Sequence, residues 1–375
     1  MPVRAASDSA PEYAVRAKAF LDAEGRSVEG VVLVVTDGKV SAIGPDVKPP
    51  ADCVVLDRSE AVLAPGLIDL HATLGTMQKT GEAAHAIESD ADAADLFNRF
   101  HRDFERAVRA GITTVVLAPS SAHLVGGVTT VVKTAGADPS RRILGRGPLK
   151  LSLASEAFTL ARPPTSLEGG LDELRRRIAE ARGNRDDVSP FARWARGETA
   201  AIVDVADANG AALSSLARFA GEEGVKCIAL HAKFAAERLD AVKSLGGPLV
   251  LGPFSFGDGL RYTRTPALLK EAGLSFALTC DPPRDPPELL RVGAAIAMAE
   301  GLAADAALAA LTKTPAGIAG VADRVGSLSS GMDADFLVLS GRPTDLSSRI
   351  LEVFVNGERV YRRPPDPEPE REERR

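Results

Sequence analysis

The chain has 375 residues, 45% hydrophobic and only 5% aromatic, which is enough aliphatic material for a large core. Its net charge of −6 is spread over interspersed Lys, Arg, Asp and Glu, so no basic face points to nucleic acid or to an anionic membrane. No run reaches the roughly 18 apolar residues of a membrane span, and "MPVRAASDSAPEY" lacks the apolar stretch of a secretion signal. Cys53, Cys227 and Cys280 include no C-x-x-C pair, which fits a reducing, cytoplasmic setting and three small core thiols.

The first recognisable element is "VVLVVTDGKVSAIG", two apolar runs joined by Asp37-Gly38, a dipeptide that accepts the positive φ angles of a tight hairpin. "LAPGLIDLHATLG" follows as a strand end. Period-two alternation places Asp69, His71 and Thr73 on one face and Leu70 and Ala72 on the other. "DAADLFNRFHRDFERAVRAG" predicts one helix with Leu96, Phe97, Phe100, Phe104, Ala107 and Val108 on its apolar stripe, stopping at Gly111. Gly126-Gly127 reads as a turn.

From there short apolar strands, "ITTVVLAP", "LKLSL", "AAIVDVA", "VKCIALH", "PLVLGP" and "LSFALTCD", alternate with helices ended by glycine. That repetition favours an α/β fold of (β/α)8 TIM type over a doubly wound sheet, and no G-x-G-x-x-G follows the first strand. "LARPPTSLEGG" and "PFSFGDGLRYTRTP" read as long loops at the barrel mouth. "DADFLVLS" and "ILEVFVNGERVY", with Asn356-Gly357, repeat the hairpin device, so both ends of the chain are β-rich. The expected division is a composite β-sandwich from 12–63 and 320–363, a barrel over 64–319, and a disordered, charged tail over 364–375.

With "PGLIDLH", "AVRAGITTVVLAPSSAHLVGG", "LHAKFAAERL", "ALTCDPP" and the long closing segment "ALTKTPAGIAGVADRVGSLSSGMDADFLVL", the chain resembles the amidohydrolase superfamily, in particular imidazolonepropionase and related amidohydrolases. The resemblance covers nearly the whole chain. It implies hydrolysis of C–N bonds other than peptide bonds, with one or two divalent metals at the barrel mouth. It also assigns positions. The paired strand-one histidines fall on His71 and Thr73, the strand-five histidine on Val205, the strand-six histidine on His231 and the strand-eight aspartate on Asp281. Lys150 lies near the strand-four lysine position.

Valine offers no lone pair and a neutral threonine hydroxyl is a poor donor, whereas a catalytic zinc needs about three protein ligands and an open position. The first expectation is therefore a hydrolase scaffold whose binuclear site is eroded, a pseudoenzyme with no cofactor and a small-molecule ligand in the mouth. A second is an active hydrolase using a single zinc-like metal on His71, His231 and Asp281, with Asp281 as general base. A third is a non-catalytic structural or ligand-binding subunit, in a homo-oligomer or beside a paralogous chain. Each polar residue also has a plain structural reading: His71 paired with an aspartate, His231 a hydrogen-bonded core histidine, and Asp281 ion-paired with His71 or Lys150.

Overall fold

The computed structural model describes residues 13–22, 24–76 and 84–365. Residue 12 and positions 366–375, which the expected domain limits and tail include, lie outside them. Strands β1 (Tyr13–Leu21), β2 (Ser27–Thr36), β3 (Lys39–Gly44) and β4 (Val54–Pro65) open the chain, and β5 (Leu67–Ala72) follows after Gly66 alone. The middle holds β6 (Ile112–Leu117), β7 (Val125–Lys133), β8 (Ile143–Ser152), β9 (Ala200–Asp204), β10 (Lys226–Leu230), β11 (Leu249–Leu251) and β12 (Phe276–Leu278). The end supplies β13 (Phe336–Leu339), β14 (Ile350–Val355) and β15 (Glu358–Arg362).

Two sheets result. The first runs β15-β14-β13-β4-β1-β2-β3 and so joins both ends of the chain, as the two hairpins led one to expect. Asp37 and Asn356 have φ of 51° and 49°, and Gly38 and Gly357 follow them at 72° and 74°, the left-handed backbone that a two-residue turn of this hand requires. Tyr13, Val15, Leu33, Leu63, Phe336 and Phe354 form its core.

The second sheet runs β5 to β12 in sequence order, an eight-stranded, nearly closed barrel. Ile68, Leu70, Ile202, Ile228 and Val250 fill its interior, while the alternate residues pack outward against the helices. One strand departs from the expected pattern. β7 is antiparallel to both neighbours, so β6, β7 and β8 follow one another without crossover helices. Gly126-Gly127 accordingly lies inside β7 rather than in a turn.

The helix expected across 92–111 is shorter, Arg102–Arg109, capped by His101, whose ring accepts from the Asp103 N–H. The residues before it are drawn to the barrel instead: Asn98 N–H donates to Gly75 O at 2.8 Å, and Phe100 is left exposed. Among the described residues no helix is long and apolar enough to cross a membrane.

Candidate active site at the barrel mouth

Five strand ends deliver the polar residues. On β5 the alternation is interrupted, because three steps from Asp69 to Ala72 stand opposite two from Val115 to Leu117 on β6. This bulge turns His71 inward immediately after the inward Leu70. Asp69 therefore does not share the His71 face as simple alternation requires. It spans the seam to β12, accepting from the Thr279 hydroxyl at 2.8 Å and the Cys280 N–H at 2.8 Å. Burial lifts its carboxyl to about 6.

Lys150 on β8 and Asp204 on β9 point inward between outward Leu149, Leu151, Val203 and Val205. Val205, the residue assigned to this strand from the sequence, packs in the layer between barrel and helices. The pocket residue is its neighbour Asp204, one step away and thus on the opposite face. His231 and Asp281, just beyond β10 and β12, adopt left-handed backbone angles, φ 58° and 54°. Such angles cost a residue with a Cβ about 1–3 kcal/mol and persist where the surroundings enforce them. After β10 the turn brings His231 inward although Leu230 already faces that way.

These side chains touch in series. His71 Nδ1 lies 3.0 Å from Asp281 Oδ1, and His231 Nε2 lies 2.8 Å from Asp281 Oδ2. His231 Nδ1 is 2.9 Å from Asp204 Oδ1. The other Asp204 oxygen accepts from the Ser121 hydroxyl at 2.5 Å, and Lys150 Nζ donates to Ser121 Oγ at 2.5 Å. From the rim, Arg284 donates to Asp281 Oδ2 at 2.8 Å. The histidine rings meet edge to face, centroids 5.2 Å apart. Thr73 contributes a backbone N–H to Pro282 O at 2.9 Å.

Burial sets the charges against one another. It lowers His71 more than Asp281 raises it, which favours the neutral imidazole. His231 is opposed by burial too, yet Asp204 and Asp281 outweigh it and lift the ring to about 10. Both carboxyls would be raised by burial, but the histidines, with Lys150 for Asp204, hold them far below the ordinary range. Lys150 is pushed down by burial despite Asp204.

One donor atom each from His71, His231 and Asp281 lies within 4.8 Å of the others. Donors around a tetrahedral zinc at 2.0–2.2 Å sit roughly 3.4 Å apart, so small side-chain adjustments accommodate one divalent ion. Two features fit such an ion. His71 Nε2 is buried with no hydrogen-bond partner, and Asp204 holds the far nitrogen of His231 as an outer carboxylate orients a metal-binding imidazole. A second ion does not fit: its expected donors are Thr73, the outward Val205, and Lys150, whose Nζ is engaged with Ser121. Of the residues singled out in the sequence, the fold thus brings together His71, His231 and Asp281, links Lys150 to them through Ser121 and Asp204, and removes Val205. Asp204 was recoverable from its two-residue offset to inward Ile202; Ser121 and Arg284 carried no pattern of their own.

The model of the amidohydrolase family matches residues 157–361. No curated protein matches this chain. Among solved structures, an amidohydrolase from Thermotoga maritima is 25% identical, with a TM-score of 0.82 over 94% of this chain and 100% of that one. A molinate hydrolase is 14% identical with a TM-score of 0.61, covering 93% and 94% of the two chains. A Xaa-Pro dipeptidase is 15% identical at 0.57, covering 94% and 100%; these last two are similar in fold alone.

Proposed function

The chain belongs to the amidohydrolase family, and on that premise we propose that its barrel mouth is a one-ion remnant of the family's metal site, hydrolysing a C–N bond other than a peptide bond. The observation that carries this reading is the convergence of His71, His231 and Asp281, with the buried Nε2 of His71 uncommitted. A divalent ion held there, zinc by its N and O donors, supplies Lewis acidity toward a scissile carbonyl and toward water.

The chain's own groups do the rest. Asp281 is the general base in this reading, because its carboxylate is kept ionised and faces the same point as both imidazoles. Asp204 fixes the orientation of His231, and Arg284 holds the second oxygen of Asp281 from the rim. The small-molecule substrate enters a pocket of about 350 Å³ lined by Asp204, His231, Lys233, Glu156 and Arg284. A cytoplasmic setting belongs to the same proposal and rests on three cysteines outside any disulfide.

The internal pairing of Lys150, Asp204, His231 and Asp281 favours a second reading, a catalytically silent subunit that binds a small molecule alone, in a homo-oligomer or beside a paralogous chain. Metal analysis separates the two. The protein is stripped with chelator, reconstituted with Zn²⁺ or Mn²⁺, counted for bound ion, and screened for hydrolysis of cyclic amides. The one-ion reading expects one ion per chain, its loss in Asp281→Asn, and turnover only after reconstitution. Absence of retained ion together with metal-independent silence overturns it in favour of the binding subunit.

A further inference from the structure

Beside the proposed ion site lies a pair of groups that it does not use. Lys150 is fully buried on β8, and its Nζ sits 2.5 Å from Ser121 Oγ in the connection between β6 and β7. Ser121 also lies 2.5 Å from Asp204 Oδ2, and Lys150 Nζ is 3.7 Å from that same oxygen. Gly126 permits the close approach: a Cβ there would stand 3.2 Å from Pro119, 3.3 Å from Ser120 O and 3.7 Å from the Lys150 stem. The loop carrying Ser121 is thereby held down on the lysine.

We propose that Ser121 is a nucleophile for acyl transfer, with Lys150 as its base and Asp204 as the anion that stabilises the ammonium formed on Lys150. The arrangement follows the logic of nucleophile, base and orienting carboxylate, and a buried lysine is the residue type that serves as a base near neutral pH. Burial, which lowers Lys150, agrees with that role. Asp204 lines the mouth pocket, and Ser121 and Lys150 stand behind it, against its Oδ2. With Ser121 only 6% exposed, the donor is a small activated acyl compound of acetyl size.

In the reaction, Ser121 Oγ bonds to the acyl carbon as its proton passes to Lys150 Nζ. The bond from acyl carbon to leaving group then breaks, and the ammonium returns the proton to the departing oxygen. Water then gives a proton to Lys150 as its oxygen bonds to the acyl carbon; the bond from acyl carbon to Ser121 Oγ breaks, the ammonium returns its proton to Oγ, and a carboxylic acid leaves.

The test uses chelator-stripped full-length protein, so its outcome is independent of the one-ion reading. The protein is treated with p-nitrophenyl acetate, acid-quenched, weighed intact and mapped by peptide mass. The expected result is a single acetyl adduct on Ser121, absent in Ser121→Ala and formed about 100-fold more slowly in Lys150→Met. Labelling of the wild type should also accelerate with rising pH, as the ammonium of a buried lysine is discharged below the ordinary lysine range. That profile decides the matter if Lys150→Met does not fold. No adduct on Ser121, an unchanged adduct in Ser121→Ala, wild-type labelling in folded Lys150→Met, or a flat pH profile overturns the proposal.

Discussion

Replacing Lys133 by Met should destabilise the protein by about 3–5 kcal/mol, because it strands a buried charge where the barrel meets the first sheet. Lys133 is fully buried, and its Nζ donates to Asp333 at 2.7 Å, Asp335 at 2.9 Å and Asn356 at 2.6 Å. Asp333 keeps Arg324 at 2.8 Å. Asp335 keeps only the Asn356 N–H at 2.7 Å, and its other oxygen is buried without a partner. Burial already raises the Asp335 carboxyl, and loss of the lysine raises it further. Each unit of that rise costs about 1.4 kcal/mol at a pH where the group is ionised. The deficit of the variant should therefore shrink as pH falls and Asp335 takes up its proton. Equilibrium urea unfolding at about pH 7 and about pH 5 reads both quantities, and the double variant Lys133→Met/Asp335→Asn should recover about 2 kcal/mol or more. A loss below about 1 kcal/mol, or a double variant no better than the single, refutes the reasoning.

Thr73→His should tighten ion binding at least about tenfold, read by competition with a chromophoric chelator, because alternation beyond the bulge returns position 73 to the inward side with His71. Unchanged affinity counts against that placement. Val205→Ala should cost about 1–3 kcal/mol in unfolding while leaving ion retention intact, whereas Asp204→Asn should weaken retention by about tenfold or more. The reverse pattern would return Val205 to the pocket. Gly127→Ala should cost about 2 kcal/mol or more, since φ is +103° there and a Cβ would clash with Ala91 O, 2.3 Å away. A neutral effect in urea unfolding contradicts the strand geometry. Burial would raise Asp333, but Lys133 and Arg324 hold it below 3.8, so its contribution is present above that pH and lost as pH falls through the lower folded value. The stability difference between wild type and Asp333→Asn should accordingly fade on acidification below about pH 4, and a difference that grows there contradicts it.

Elements whose signals are local were legible in the sequence. Asp37-Gly38 and Asn356-Gly357 fix their hairpins whatever surrounds them, and Gly224 and Gly246 end their helices in left-handed caps. The site was legible where a motif marked it, at His71, His231 and Asp281. It was lost where side-chain direction depends on a neighbour. The β5 bulge is a mismatch with β6, and no property of "LIDLHATLG" alone reveals it. In "AAIVDVAD" a one-residue choice between Asp204 and Val205 exchanges pocket for core. The antiparallel course of β7 was hidden for a similar reason: "VGGVTTVVK" is buried throughout, and a strand covered on both faces reads the same in either direction. The helix over 92–111 shortened because backbone contacts with Gly75 and Thr76 compete for residues 97 and 98.

The place of β4 between β1 and β13 also has a consequence for synthesis on the ribosome. Residues 62–65 of β4 wait for Phe336–Leu339 before one of their edges is covered. A nascent chain that has already emerged through the whole barrel thus still displays an unsatisfied strand edge, a template for mispairing with other chains. Termination before Phe336–Leu339 is made should yield aggregates rather than a working fragment, because β13 is the strand that closes this edge.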